Sequence, residues 1–340
     1  MDANLKAGVV SAKEAPCLMI LATGGTIAGR THPMADRAYR AGEVAITQLV
    51  SAVPILADLA SYRGEQISSL GSQDMGLAVW RKLVARIEAG FADPAITAIL
   101  VTHGTDTIEE TAFLLDLVLE PAKPVILVGA MRPSDAPSAD GPGNLIDAVR
   151  VGLDPKSRSR GVLVVMNGAI HMASAVRKAR TSGVDGLSSF PGGQAGIVDA
   201  GGVRFFTSPL APAGRRHALP PAGPLPPVPI VYAHADMDPV AVERDIAGAA
   251  GIVLAGVGNG NAPDAVMSVL RLAAKAGCIV VRSTRVHQGA VDRNVEIDDN
   301  EAGFVAAGDL NPQKSRLLLQ LLLLSPGLDP AIAQTAFDHA

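Results

Sequence analysis

The stretch ITAILVTHGTDTIEETAFLLDLVL, residues 96–119, reads as one complete structural unit. Ile96–Val101 is a short apolar run rich in β-branched residues, the pattern of a strand buried on both faces. It ends in His103-Gly104-Thr105-Asp106, and a helical pattern over Ile108–Leu119 starts at once. The first turn of that helix carries Glu109 and Glu110, which complement the helix dipole. A strand that passes through a tight glycine turn into a helix is half of a βαβ crossover, the unit of a parallel sheet.

The same alternation extends to both sides. Leu18–Ala22, Val125–Val128 and Val162–Met166 read as strands, and Met75–Glu88 and Asn144–Leu153 as helices. In Met75–Glu88, Leu77, Val79, Trp80, Leu83, Val84 and Ile87 fall mostly on one stripe. The expected fold class is α/β: a large N-terminal doubly wound, mainly parallel sheet with ligands at the carboxyl ends of its strands. Ser208–Pro229 breaks the pattern with eight prolines, too dense for a helix or a central strand. It reads as a stiff, exposed linker. Alternation then resumes with strands Ile230–Ala233, Ile252–Ala255 and Ile279–Val281 and helices Val240–Ala249 and Pro263–Ala276. The expected organisation is a domain over 1–208, a linker over 209–229 and a smaller α/β domain over 230–340.

Composition narrows the function classes. With 48% apolar and 18% charged residues in 340, the chain is globular rather than disordered. Its net charge of −4 offers no general attraction to nucleic acid or acidic membranes. The longest apolar run, Leu317–Leu324, is interrupted by Gln320 and falls far short of the about 20 residues that span a bilayer. It reads as a buried helix at a core or subunit contact. Cys17 and Cys278 are too few for a disulfide framework and read as small core hydrophobes. Residues 1–17 lack the continuous apolar stretch of a secretory signal, so the chain as given reads as cytoplasmic, or periplasmic if a leader was removed. No metal-ligand spacing and no phosphate-loop or dinucleotide fingerprint occurs, so neither a metal nor a cofactor is expected.

Two strand ends carry hydroxyls beside glycines. In LATGGTIAG (21–29) a strand runs into Gly24-Gly25 and then Thr26. Glycines let the backbone approach a ligand and expose its N–H groups, although an ordinary turn has the same signature. In THGTDT (102–107), Thr105 and Asp106 stand at a helix start, where both types also serve as caps. His103 lacks a Gly-x-Ser-x-Gly elbow and reads as structural. Gly71-Ser72-Gln73-Asp74 offers short polar groups suited to an amino-acid head group, and Lys178 and the pair Asn259 and Asn261 follow later.

Taken together, ILATGGTIAG (20–29), GSQDM (71–75), THGTDTIEET (102–111), VGAMRP (128–133), SADGPGNL (138–145), AGVGNGN (255–261) and LNPQKSR (310–316) closely resemble the bacterial type II L-asparaginases and glutaminase-asparaginases. The resemblance runs in the same order from about Pro16 to the C-terminus. It implies Thr26 as nucleophile, with Tyr39 beside it on a lid, and Thr105, Lys178 and Asp106 as a second hydroxyl–amine–carboxylate group. Gly25, Ser72, Gln73, Thr105 and Asp106 would then bind substrate, and the Ala130 carbonyl would accept from its amide. Asn261 and Glu296 would reach the site from a neighbouring subunit of a homotetramer, a dimer of dimers. The substrate implied is L-asparagine, with L-glutamine as a weaker one. The family often has an arginine four residues before the lysine, where this chain has Ser174.

Physical chemistry agrees with those roles. Amide hydrolysis needs a nucleophile, proton transfer and donors for the developing oxyanion. Asp106 beside Lys178 favours the ammonium form, so Lys178 reads as an orienter and electrostatic aid. A transfer-RNA amidotransferase subunit would call for a basic surface, against the 29 Lys+Arg and 33 Asp+Glu found here. A non-catalytic asparagine sensor would not need both threonines together with Lys178.

Overall fold

The computed structural model describes residues 15–31, 39–40, 42–44, 46–209 and 217–340. The chain opens with β1 (Cys17–Gly24) and a short hairpin, β2 (Arg30–Thr31) and β3 (Tyr39–Arg40). Then come β4 (Ser61–Leu70), β5 (Ile96–Thr102), β6 (Val125–Val128), β7 (Val162–Met166) and β8 (Ala169–Met172). A second small hairpin, β9 (Val176–Lys178) with β10 (Leu187–Ser189), precedes β11 (Gly196–Asp199) and β12 (Gly202–Phe205).

Eight of these form one sheet in the order β12-β11-β8-β7-β6-β5-β1-β4. The five strands from β4 to β7 are parallel; β8, β11 and β12 add antiparallel pairs. The two-residue period of the central strands fills both faces. Leu18, Ile20, Leu100, Ile126 and Val165 pack with Leu145 and Val149 of the helix Gly141–Leu153. Met19, Leu21, Ile99, Val101, Leu127 and Val164 pack on the opposite face with Leu83 and Ile87 of the helix Leu77–Ala92 and Phe113 and Leu117 of the helix Ile108–Val118. Each such side chain fully buried contributes about 1.5–3 kcal/mol, which makes this two-sided packing the main stabilising term. β4 has no apolar run, and its ion pairs Arg63–Asp93 (2.6 Å) and Arg86–Glu65 (2.7 Å) suit an edge strand.

The second sheet, β13 (Ile230–Tyr232), β14 (Gly251–Gly256), β15 (Ile279–Thr284) and β16 (Phe304–Ala306), is parallel throughout in that order. Of the expected Leu317–Leu324 helix, Leu317–Leu322 forms the C-terminal part of the helix Pro312–Leu322, and the last two residues lie in the turn after it. Leu317, Leu318 and Leu319 share one buried cluster with Phe113 of the first unit and Val253 and Val281 of the second, so this helix fastens the two together.

Two expectations need correction. The described part of the proline-rich segment, 217–229, is only partly exposed. Val228 is buried, Leu219 and Leu225 pack against the main core, and Arg81 Nε donates to the Pro220 carbonyl at 2.8 Å. Gln320 Nε2 donates to the Pro226 carbonyl at 2.9 Å. Proline removes the N–H donors that would demand a sheet partner, and the remaining carbonyls are met by side chains. Residues 210–216 lie outside the described residues. The cysteines are only half-buried: Cys17 begins β1 and Cys278 precedes β15, both as free thiols at the ends of their runs.

A fully buried ion pair organises the second unit. Arg282 on β15 donates through Nε and Nη2 to both oxygens of Asp299, at 2.6 and 2.7 Å. Its Nη1 donates to the Asn259 carbonyl at 2.8 Å, and Asp299 also accepts from the Asn294 N–H at 2.9 Å. One guanidinium therefore ties the 259–261 turn to the 292–299 loop. Breaking such a pair by removing one partner strands a buried charge. Arg282→Met should lower unfolding stability by about 3–5 kcal/mol, read by chemical denaturation; a loss within 1 kcal/mol would contradict this role.

Candidate active site

β1 lies between β4 and β5, and the chain leaves it first to one side and then to the other. This is the topological switch point of a doubly wound sheet, where a crevice opens above the strand ends. The register sets Leu21 beside Val101 and Ala22 beside Thr102, which brings the Gly24-Gly25 and Gly104 turns level. Gly25 has φ 79°, and a Cβ on it would lie 2.3 Å from the Gly104 nitrogen. A Cβ on Gly104 would lie 2.7 Å from Ser72 Oγ, and one on Gly24 would lie 2.4 Å from the Leu70 carbonyl oxygen. Three strand ends thus touch without room for a methyl group. Thr23 Oγ1 donates to the Thr102 carbonyl (2.8 Å), and Thr107 Oγ1 donates to the Ser72 carbonyl (2.7 Å).

Three small hydroxyl residues line the junction. Thr26 opens a short 3-10 turn immediately after Gly25 and is buried. Thr105 follows Gly104 and is buried, as is Ser72. Ser72 Oγ has no hydrogen-bond partner among the described residues. A buried hydroxyl left so is costly within the fold and suits a group kept for a ligand. Gln73 is exposed, its amide lying against Asp74 (3.2 Å).

Lys178 comes from β9, 73 residues beyond Thr105, and donates through Nζ to Thr105 Oγ1 at 2.9 Å. It also donates to the Asp106 carboxylate. Thr105 Oγ1 in turn donates to Met131 Sδ at 3.4 Å. A thioether is a weak acceptor, so the Thr105 hydrogen is held lightly and is free to move to a stronger one. Asp106 and Lys178 line a cleft of about 390 Å³ with Glu109 and Thr181.

The loop carrying Ala130 is fixed by residues whose role the sequence did not reveal. Asp140 accepts from the N–H groups of Met131 (3.0 Å) and Arg132 (2.9 Å). Asn144 Nδ2 donates to the Gly129 carbonyl at 3.0 Å, and its oxygen accepts from the Asn167 N–H at 2.8 Å. Asp140 and Asn144 fall four residues apart in the SADGPGNL motif, at the start of a helix, and that spacing could have flagged them as a loop anchor.

Asn261 and Glu296 are brought together with each other on the second unit, the Asn261 amide donating to the Glu296 carboxylate. Neither forms a hydrogen bond with the Thr105–Lys178 group among the described residues. Tyr39 lies on β3, but its side chain is outside the described residues. His103 is fully buried, and burial pulls its imidazole down to about pKa 4 although Nδ1 lies 2.7 Å from the Gly104 carbonyl oxygen.

Two testable outcomes follow from this geometry. Gly25→Ala has no space for its methyl group against the backbone of His103 and Gly104, so the variant should lose both thermal stability and activity; parental values in both would refute the close approach. The second concerns acid. Burial lowers His103 and His171 from 6.5 to about 4, with the Lys314 charge a further cause for His171. Folded pKa values below unfolded ones give stability that is present above pH 6.5, falls as the pH drops and is lost through pH 4. Melting temperature measured against pH should decline across that window, and less steeply in His171→Gln. An equal slope in that variant would contradict the assignment to His171.

Comparison with known proteins identifies the family. Residues 17–211 match the family model "Asparaginase, N-terminal", and residues 227–337 match "Glutaminase/Asparaginase C-terminal domain". The chain is 44% identical to the "Probable L-asparaginase periplasmic" of Haemophilus influenzae, over 98% of this chain and 96% of that protein. It is 43% identical to "L-asparaginase 2" of Escherichia coli, over 95% and 93%, and 38% identical to the "Glutaminase-asparaginase" of Pseudomonas fluorescens, over 90% and 86%. With both family models matched in order and identity at this level along nearly its whole length, the chain belongs to the asparaginase family.

Proposed function

We propose that the protein is an L-asparaginase, hydrolysing the side-chain amide of L-asparagine to L-aspartate and ammonia with Thr26 as nucleophile. The single observation that carries this reading is the meeting of Thr26, Ser72 and the Thr105–Lys178–Asp106 group at one switch-point crevice. Relatives named for asparaginase activity support the reaction.

In the proposed first step Thr26 Oγ attacks the amide carbon, and its proton passes to the departing nitrogen, by way of the Thr105 hydroxyl or directly. A C–O bond forms, the C–N bond breaks, and ammonia leaves a β-aspartyl ester on Thr26. Water then adds to the ester carbon, gives a proton back to Thr26 Oγ and releases aspartate. The Lys178 ammonium, donating to Thr105 at 2.9 Å, stabilises negative charge on that hydroxyl and aims it. The backbone N–H groups after Gly25 and at the helix start beyond Thr105 offer donors to the oxyanion. Ser72 and Asp106 would hold the α-carboxylate and α-ammonium groups, Gln73 would assist, and the Ala130 carbonyl would accept from the amide. Tyr39 would close over the nucleophile.

The Asn261–Glu296 pair would complete the site from a neighbouring chain in a dimer of dimers, because it is exposed on the second unit and bonded within itself. Asparagine is the expected preference over glutamine. One methylene is worth only about 1–3 kcal/mol in a pocket, so glutaminase activity would be weaker rather than nil. The division at 208 and 229 is supported by the separate extents of the two family matches. A relative named as periplasmic supports that compartment over the cytoplasm.

Ammonia release with L-asparagine tests the reading directly. Thr26→Ala and Thr105→Val should each nearly abolish it while leaving the circular dichroism spectrum unchanged; either folded variant turning over at the parental rate would overturn its role. Mixing the inactive Thr26→Ala chain with an impaired Glu296→Ala chain should restore activity, since one site of a mixed pair regains every group. No rescue despite proven subunit exchange would exclude the shared site.

A further inference from the structure

Beside Lys178 lies a group of buried ionisable side chains that the reaction as proposed does not use. Lys314 is fully buried, and burial pulls its amine down from 10.5 to about 7. Its Nζ donates to two backbone carbonyls, Ser174 (2.8 Å) and Val176 (2.5 Å), and faces the Phe113 ring with 5.8 Å to the centroid. Val176 is the first residue of the three-residue strand that ends in Lys178. Three residues beyond Asp106, at the second position of its helix, Glu109 is also buried. It accepts from Asn311 Nδ2 (3.0 Å) and Gln313 Nε2 (2.9 Å). Between them Arg177 donates to the His287 carbonyl (2.5 Å) and to that of Asp309.

These bonds share one geometry. Thr105 and Asp106 sit on one first-unit element and Lys178 on another, and each is pinned from behind by the same short second-unit segment. Asn311 and Gln313 hold the helix start, and Lys314 holds the strand. A strand of three residues paired only to another of three residues has little stiffness of its own. We propose that Asp309–Lys314 is the positioning element of the Thr105–Asp106–Lys178 group, with Lys314 acting on Lys178 through the carbonyls of Ser174 and Val176. The inference rests on the asparaginase reading of that group. It adds that the site in the first unit is held in register by its own chain's second unit, apart from any residue supplied by a neighbouring chain.

Nothing in the role of a catalytic lysine requires a second lysine buried behind it. A structural helix anchor would be served as well by an apolar side chain, because replacing buried ionic groups by well-packed apolar ones is often neutral for stability. Two carbonyls at the root of a reactive side chain instead call for a donor of fixed length. A misplacement of about 1 Å in such a side chain costs about 10²-fold in rate.

The test is a double-mutant cycle on kcat, with L-asparagine as substrate and the full-length protein. Parental ammonia release establishes the functional reading beforehand, so a loss confined to the variants reports on positioning alone. Lys314→Met should lower kcat by about 10²-fold with a much smaller change in KM, and Lys314→Arg should recover part of the loss. In a Lys178→Met background the same Lys314→Met change should cost little more, because its effect passes through Lys178. Gln313→Leu loosens Glu109 and leaves Lys314 in place. It supplies a cycle against a Thr105→Val background, with a smaller first loss, should Lys314→Met fail to fold. Losses that multiply in the cycle, or a folded Lys314→Met with parental kcat, would overturn the proposal.

Discussion

The contact of backbone on backbone at the ends of β1, β4 and β5 is the constraint on which the rest of the site depends. A methyl group at Gly25 would sit 2.3 Å from the Gly104 nitrogen, and one at Gly104 would press on Ser72. With no side chains between them the three turns come into contact, and a small hydroxyl residue follows a glycine at each. Thr26, Ser72 and Thr105 are those residues. The parallel register of β1 on β5 sets the level at which the turns meet, and the two-sided apolar packing of the sheet holds that register. The crevice is therefore a product of sheet topology first and of side-chain chemistry second.

Charge is arranged in tiers around that crevice. Lys178 and Asp106 form the partly exposed pair nearest the threonines. Lys314, Glu109 and Arg177 form a buried tier behind it, each with hydrogen-bond partners. Arg282 and Asp299 do the same for the turns that carry Asn261 and Glu296. Buried ions add little net stability when satisfied and cost much when half satisfied. Their physical value here is directional: Lys314, Arg177 and Arg282 each hold backbone carbonyls, and Glu109 holds the Asn311 and Gln313 side-chain amides.

Strands made of apolar runs were legible in the sequence to within about three residues, and the helices to within about four. β4 was not, because SYRGEQISSL is an edge strand with one face wet and no apolar run. The short strands β8 to β12 and β16 were missed for a similar reason, being three or four residues long and set by pairing rather than by pattern. The proline-rich segment was read as exposed because its missing donors were visible while the side chains that satisfy its carbonyls were not. In the site, Thr105 and Asp106 drew notice as a glycine-flanked helix start, but their meeting with Lys178 spans 72 and 73 residues. No local pattern encodes that distance, and only the family resemblance pointed to it. Lys314 stood in a quoted motif without a role, since nothing in LNPQKSR says that its lysine is buried.

The central claim is that asparagine is cleaved at the crevice above β1 and β5, with its side-chain amide between Thr26 and Thr105. The most direct measurement is a crystal structure of the protein with the product L-aspartate bound. The account predicts the side-chain carboxylate between the two threonine hydroxyls and the α-carboxylate on Ser72. It also predicts the α-ammonium on Asp106, with Glu296 of another copy of the chain beside it. Aspartate seated anywhere else, such as the cleft between the two units of one chain near Tyr232 and Arg285, with the threonines untouched, would contradict it.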